Sequence, residues 1–251
     1  MLAVLFSLVV AWQEPAPEAK PVDQQPKTPL QAAPPLEEWD DKTAKAAIDE
    51  WSKVQKGTPN MLQKSRALDL LAAGSNKLLV KPLATTVETE KLLVVRKRAA
   101  ELLAKQPPLE ANAAIRKLLK SARVGSYTTV MGELIRGLAR CGYDSSQWAD
   151  IDDLFEREYQ LERVPLQEAI LDLVIAHKEA QALPMLVRNL DEPAPENVDA
   201  GENPPAAYWE ARWKSWNVWR GKVKDALFAV TGQRFSTAAE VKAWLKKNQT
   251  K

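Results

Sequence analysis

The segment RALDLLA, from Arg66 to Ala72, returns as RAAELLA from Arg98 to Ala104. Apolar patterns of similar length centre near Leu138 and Val174. Leu70 to Leu102 is a step of 32 residues, and the next two steps, to Leu138 and to Val174, are each 36. A unit of that length holds two helices and their turns. It cannot bury its apolar face alone, so successive units must stack. The recurrence predicts an all-α chain, built as an α-solenoid of about five helical hairpins closed by a C-terminal capping helix.

Residue choice agrees with helices. Glycine is scarce, at 9 in 251 residues, and β-branched runs are few. The formal charge of +2 supplies no global field toward nucleic acid or an anionic membrane.

The first hairpin is predicted from Leu36, Trp39, Ala47, Ile48, Trp51 and Val54, followed by a stop at Gly57-Thr58-Pro59. Pro59 is expected in the first turn of the second helix, which runs through Ala67 and Leu70 to Gly74. The second hairpin pairs Leu78–Val87 with Leu92–Ala104. Its later helix turns Arg96, Lys97, Arg98 and Glu101 toward water or a partner. The third pairs Ala111–Leu119 with Tyr127–Leu138, and Gly142 sits where a helix stop belongs. The fourth pairs Trp148, Ile151, Leu154 and Phe155 with Leu166–Val174. The fifth begins at Leu183–Leu190 and is split by a Pro- and Glu-rich insertion at 191–205. Its second helix spans about 206–231, with Phe228 in register with Val174. A final helix over 237–248, capped by Ser236 or Thr237 with Glu240, presents Lys242, Lys246 and Lys247 to water.

The ends of the chain read differently. Leu2 to Ala11 is almost wholly apolar but too short to span a bilayer, and Val9 and Ala11 are small residues at signal-peptidase spacing. Residues 1–12 are thus expected to be a signal peptide, or a short hydrophobic anchor if uncleaved. Residues 13–35, rich in Pro, Gln, Glu and Ala, cannot bury enough surface to offset their ordering entropy and read as a linker. The expected location is exported, periplasmic or extracellular.

The segment VRKRAAELLAK, Val95 to Lys105, resembles the HEAT-repeat core Val-Arg-x-x-Ala-x-x-x-Leu. LFAVTGQRFSTAAEVKAWLKKN, Leu227 to Asn248, is similar to a closing segment of exported bacterial HEAT-like proteins. The resemblance covers roughly residues 40–248. It implies a solenoid that binds other macromolecules, with the second helix of each hairpin lining the concave surface. On that basis Arg96, Arg136 and Arg140 are candidate partner-facing cations.

Tyr208, Trp209, Trp213, Trp216 and Trp219 fall on or near one stripe of the long helix. Either these rings pack on the fifth hairpin and final helix, or they form an exposed platform for a sugar or a peptide, with Arg220 beside them. Charge is also uneven along the chain. Lys91 to Arg140 carries 11 basic and 3 acidic side chains, whereas Asp144 to Glu162 carries 7 acidic and 1 basic. Such blocks become spatial blocks in a stack, suited to head-to-tail contact or to an anionic partner.

Catalytic signatures are missing. There is no Gly-rich phosphate loop, nucleophile elbow or His-Glu-x-x-His pair in the sequence. Cys141 is the only cysteine and His177 the only histidine; they read as a core residue and a helix-end residue. The pairs Asp40-Asp41 and Asp152-Asp153 read as helix N-terminal charges. No catalytic residue, cofactor or metal is expected. The expectation is a non-enzymatic scaffold of the cell envelope that binds a protein or a polysaccharide, with no nucleic acid as partner. The resemblance also covers HEAT-like DNA alkylation-repair glycosylases, which use Trp, Asp and Arg in a concave groove; that is the alternative.

Overall fold

A computed structural model describes residues 36–195 and 201–248. The expected signal segment and linker, and residues 196–200 of the insertion, lie outside the described residues. The described chain is all-helical. Its helices are α1 (Asp41–Lys56), α2 (Met61–Ala72), α3 (Lys77–Thr89), α4 (Leu93–Leu103), α5 (Pro108–Leu119) and α6 (Ala122–Gly125). Then follow α7 (Thr128–Arg140), α8 (Asp152–Glu156), α9 (Val164–His177), α10 (Leu183–Arg188), α11 (Ala206–Thr231) and α12 (Ala238–Asn248). The only extended pairing among the described residues is a short parallel one, Glu37–Glu38 beside Gly74–Ser75. Gly74 is needed there: a β-carbon at this position would lie 2.1 Å from the Trp39 ring.

The helix ends follow local chemistry. Asp40 caps α1 by accepting the Thr43 N–H at 2.7 Å. Asn60 and Gln63 form a reciprocal capping box at α2, with bonds of 3.0 and 2.9 Å. That box moves the start of α2 to Met61 and leaves Pro59 before the cap, not inside the first turn as its position suggested. Gly142 and Gly232 adopt φ of +77° and +70° just beyond α7 and α11, as helix stops require. At α12 the Thr237 hydroxyl accepts from the Glu240 N–H, and the Glu240 carboxylate accepts from the Ser236 N–H. Asp191 adds a cap from 47 residues away, accepting the Ala238 N–H at 3.0 Å. The start of the insertion is thereby tied to the last helix.

Packing runs along the chain. Helix α2 packs on α4, α4 on α7, α7 on α9 and α9 on α11; on the other side α1 packs on α3 and α3 on α5. The core between them is continuous, from Ala44 to Val241. Two glycines on α7 permit close approach. A β-carbon at Gly137 would lie 2.9 Å from Ala104 Cβ, and one at Gly132 would lie 3.0 Å from the Pro165 carbonyl oxygen.

Three further expectations are corrected. The first helix expected over Trp148–Phe155 is a 3-10 turn, Ser145–Asp150, followed by the five-residue α8. Asp150 is drawn toward Arg116 and Lys120, and short acidic side chains favour caps over helix interiors. Phe228 is not in register with Val174: it is 43 % exposed, whereas Leu227 is buried. A one-residue error turns a helix by about 100°, so the estimated insertion length misplaced it. Leu70 is exposed although its counterpart Leu102 is fully buried. The copies have similar sequence, but α2 has no second helix before it among the described residues.

Candidate functional site

The helices that follow the first turn of each pair, α2, α4, α7, α9 and α11, expose one side each. On α2 that side carries Leu62, Arg66, Asp69 and Leu70; on α4 it carries Val94, Lys97 and Arg98. Val94 is 64 % exposed, a high value for a valine within a helix. Glu133, Arg136 and Arg140 continue the side on α7, Glu168 and Asp172 on α9, and Val218 and Lys222 on α11. Ion pairs join this side of α2 to that of α4, α4 to α7 and α9 to α11, and α7 packs on α9.

Charges on this surface are largely paired across helices. Asp69 lies 3.9 Å from Arg98. Lys97 reaches Glu133 at 3.5 Å, and Glu133 also holds Arg136 at 2.9 Å. Lys222 spans to Asp172 at 2.9 Å and Glu168 at 3.5 Å. Arg140 is exposed and makes no ion pair among the described residues. The surface thus offers aliphatic side chains at its α2–α4 end, a paired charge lattice, and two cations, Arg66 and Arg140, without an ion pair among the described residues. Exposed ion pairs of this kind are each worth about 0.2–1 kcal/mol, so a partner can exchange them at little cost.

The expected site residues separate into two groups. Arg136 and Arg140 lie on this surface. Arg96 does not, despite the exposure expected for it. It is 3 % exposed, and its guanidinium donates to the backbone oxygens of Val87 at 2.7 Å, Glu88 at 2.6 Å and Arg123 at 2.9 Å. The same group lies 4.1 Å from the Tyr127 ring centroid. Capping the orphan carbonyls at the end of α3 is what turns it inward.

The tryptophan stripe is also divided. Trp219 is fully buried, with its edge on Phe155 at 5.1 Å between ring centroids. Trp216 is buried under the Arg220 guanidinium, which lies 5.0 Å from its centroid. Trp209 is half-buried against Tyr208. Trp213 is 43 % exposed, and its indole N–H donates to Glu192 at 2.7 Å. Helix α11 has 26 residues and α9 has 14, so its N-terminal turns extend past the helix that buries the rest.

The remaining singled-out groups hold neighbouring units together. Cys141 is buried, its thiol pushed up in pKa by burial, and it lies 3.4 Å from the Ala104 oxygen. His177 ends α9 and meets the Ala139 oxygen at 2.9 Å. Not foreseen from sequence is Glu179, which is 2 % exposed and accepts from Tyr143 at 2.8 Å and Ser145 at 2.6 Å. Burial, reinforced by that carboxylate, raises the Tyr143 pKa. The available signal was spacing: Glu179 lies 36 residues after Tyr143 and 34 after Ser145, one repeat length away. Val94 and Leu62 were missed because a repeat pattern marks apolar positions without saying which lack a neighbour.

Among the described residues no group of three or more His, Cys, Asp or Glu side chains is arranged to hold a metal ion. No helix among them is long and apolar enough to cross a membrane. In comparisons with protein-family models, curated proteins and solved structures, nothing matches this chain.

Proposed function

We propose that this chain is a HEAT-like α-solenoid of about five hairpins with a capping helix, and that it acts as a non-enzymatic interaction scaffold. It is exported through its N-terminal segment and works in the cell envelope, where it binds a protein or polysaccharide partner. The binding surface is the exposed side of α2, α4, α7, α9 and α11.

The observation that carries this reading is the spacing of its long-range polar contacts. Ser121 to Glu88 spans 33 residues, Arg116 to Asp150 spans 34, Cys141 to Ala104 spans 37 and His177 to Ala139 spans 38. These separations lie within two residues of the 32- and 36-residue steps of the sequence, as expected if unit-to-unit bonding follows the repeat. Stacking of that kind creates an extended surface, and an extended surface suits binding.

The test uses the full chain as bait in the native envelope fraction, beside a variant with Val94→Asp and Arg140→Glu. Capture by the wild type that the variant loses at unchanged melting temperature supports the reading. Equal capture by both removes the surface assignment. Sequencing the mature N-terminus checks export: cleavage near Ala11 supports it. An intact cytosolic chain with salt-sensitive duplex DNA binding favours the glycosylase alternative.

A further inference from the structure

On the surface described above, Lys97, Arg98 and Arg136 of the basic stretch are held in ion pairs. On the other side, four lysines line a groove, and two of them, Lys117 and Lys120, come from that basic stretch. Helices α3 and α5 pack directly on each other and leave a groove of about 610 Å³ between them. Its floor is aliphatic, formed by Val80 and Ala84 of α3 with Ala114 and Leu118 of α5. Lys77 and Lys81 stand on one rim and Lys117 and Lys120 on the other. Asp150 holds Lys120 at 2.7 Å. Lys77, Lys81 and Lys117 make no ion pair among the described residues. The groove also contains Glu110 and Glu88, and Glu88 already accepts the Ser121 hydroxyl at 2.9 Å.

We infer that this groove docks an acidic amphipathic segment of a partner protein. The three unpaired lysines outnumber the two carboxylates, Glu88 and Glu110, that line the groove with them, so its remaining charge is positive and favours carboxylates from outside. Lys77 and Lys81 are one helical turn apart, so they meet carboxylates spaced three or four residues apart on a docking helix. The aliphatic floor favours a peptide over a polysaccharide or nucleic acid, because those ligands have no apolar stripe to bury. This surface is separate from that of the proposed function and stands without it.

The test measures fluorescence anisotropy of a labelled model helix of about 16 residues, with a leucine stripe flanked by glutamates, titrated with the full chain. The expected result is binding that weakens as salt rises from about 0.05 to 0.3 M. A variant with Lys77→Glu, Lys81→Glu and Lys117→Glu is expected to bind about tenfold or more weakly. The neutral variant Lys77→Gln, Lys81→Gln and Lys117→Gln, which places no new carboxylates in the groove, is expected to fall between the two. Arg140→Glu, on the opposite side, leaves the peptide affinity unchanged. Equal affinity in the wild type and both triple variants overturns the inference. So does equal affinity for a control helix carrying lysine in place of glutamate. Stronger binding of a duplex oligonucleotide, lost in the same variants, assigns the groove to nucleic acid and overturns it as well. Binding that appears only after Glu14→Gln, Glu18→Gln and Asp23→Gln identifies the chain's own N-terminal segment as the occupant, which also overturns it.

Discussion

The indole N–H of Trp219 donates to Gln167 Oε1 at 3.0 Å, and both side chains are fully buried. Gln167 in turn donates to the Phe155 backbone oxygen at 3.0 Å. One buried amide thereby joins α9 to α11 across 52 residues of sequence and to α8 across 12. A buried polar group left without its bonds costs stability, so this satisfied pair favours the seating of α11 on α9.

Trp219→Ala is therefore expected to cost about 3–5 kcal/mol, from the cavity and the orphaned amide. Trp219→Phe, which keeps most of the ring but not the donor, is expected to cost about 1–3 kcal/mol. Trp213→Ala should change stability by about 1 kcal/mol or less, since that ring is only partly covered and its bond to Glu192 is exposed. Urea unfolding of the variants checks the order. A Trp213→Ala as damaging as Trp219→Ala contradicts this division of the stripe.

Arg96 acts on stability through its three backbone bonds. Arg96→Met is expected to lower stability by about 2–4 kcal/mol, because carbonyls at the end of α3 lose a charged donor. Arg96→Lys restores little, since one ammonium cannot span Val87, Glu88 and Arg123 as the planar guanidinium does. A variant that melts like the wild type but loses partner capture would return Arg96 to the list of partner-facing cations.

Two glycines with opposite surroundings give opposite signs. Gly137→Val forces a branched side chain against Ala104 and Ile115 and is expected to cost about 2 kcal/mol or more. Gly221→Ala, in the interior of α11 with nothing within 4 Å of its added carbon, should stabilise by about 0.4–1 kcal/mol. Thermal unfolding of both variants checks the pair.

Two carboxyls tie stability to pH. For Glu90 burial is the largest single influence and pushes its pKa up, yet the Lys64 ammonium at 2.9 Å and the N–H groups of Leu92 and Lys91 outweigh it and hold it low. For Asp150 the bond to Lys120 leads, against partial burial, with Arg116 adding to the depression. Both folded pKa values lie below the unfolded ones, near about 4. Their stabilisation is complete above the unfolded values and is lost as pH falls through the folded ones. The urea midpoint is expected to decline below about pH 4, and Asp150→Asn should flatten that decline. An unchanged acid slope in Asp150→Asn shows that this carboxylate is not linked to folding.

The 32- and 36-residue steps, the scarcity of glycine and the stops at Gly142 and Gly232 sufficed to read an all-helical chain with most helices near their places. The cap at Thr237 was legible too, because capping depends on side chains within a few residues, and Asp40, read as helix N-terminal charge, proves to be the cap of α1. The break of the fourth unit into a 3-10 turn and α8 was not, since Arg116 and Lys120 draw Asp150 from another helix. The exposed side of α2, α4, α7, α9 and α11 was legible only in part: Arg136 and Arg140 were expected to be exposed, while the exposure of Val94 and Leu62 was not foreseen.

Leu70 and Leu102 mark the boundary between the two kinds of information. They occupy the same position in near-identical segments, and sequence alone gives them the same helical face. Leu102 is buried because α4 lies between α2 and α7; Leu70 is exposed because α2 ends the row of such helices among the described residues. Arg96 shows the converse, a charged residue turned inward by carbonyls that only the packed turn brings together. Periodicity determined which elements form and which faces are apolar, since those properties are local. Which faces are covered, and which charges remain unpaired, was decided by neighbours distant in sequence.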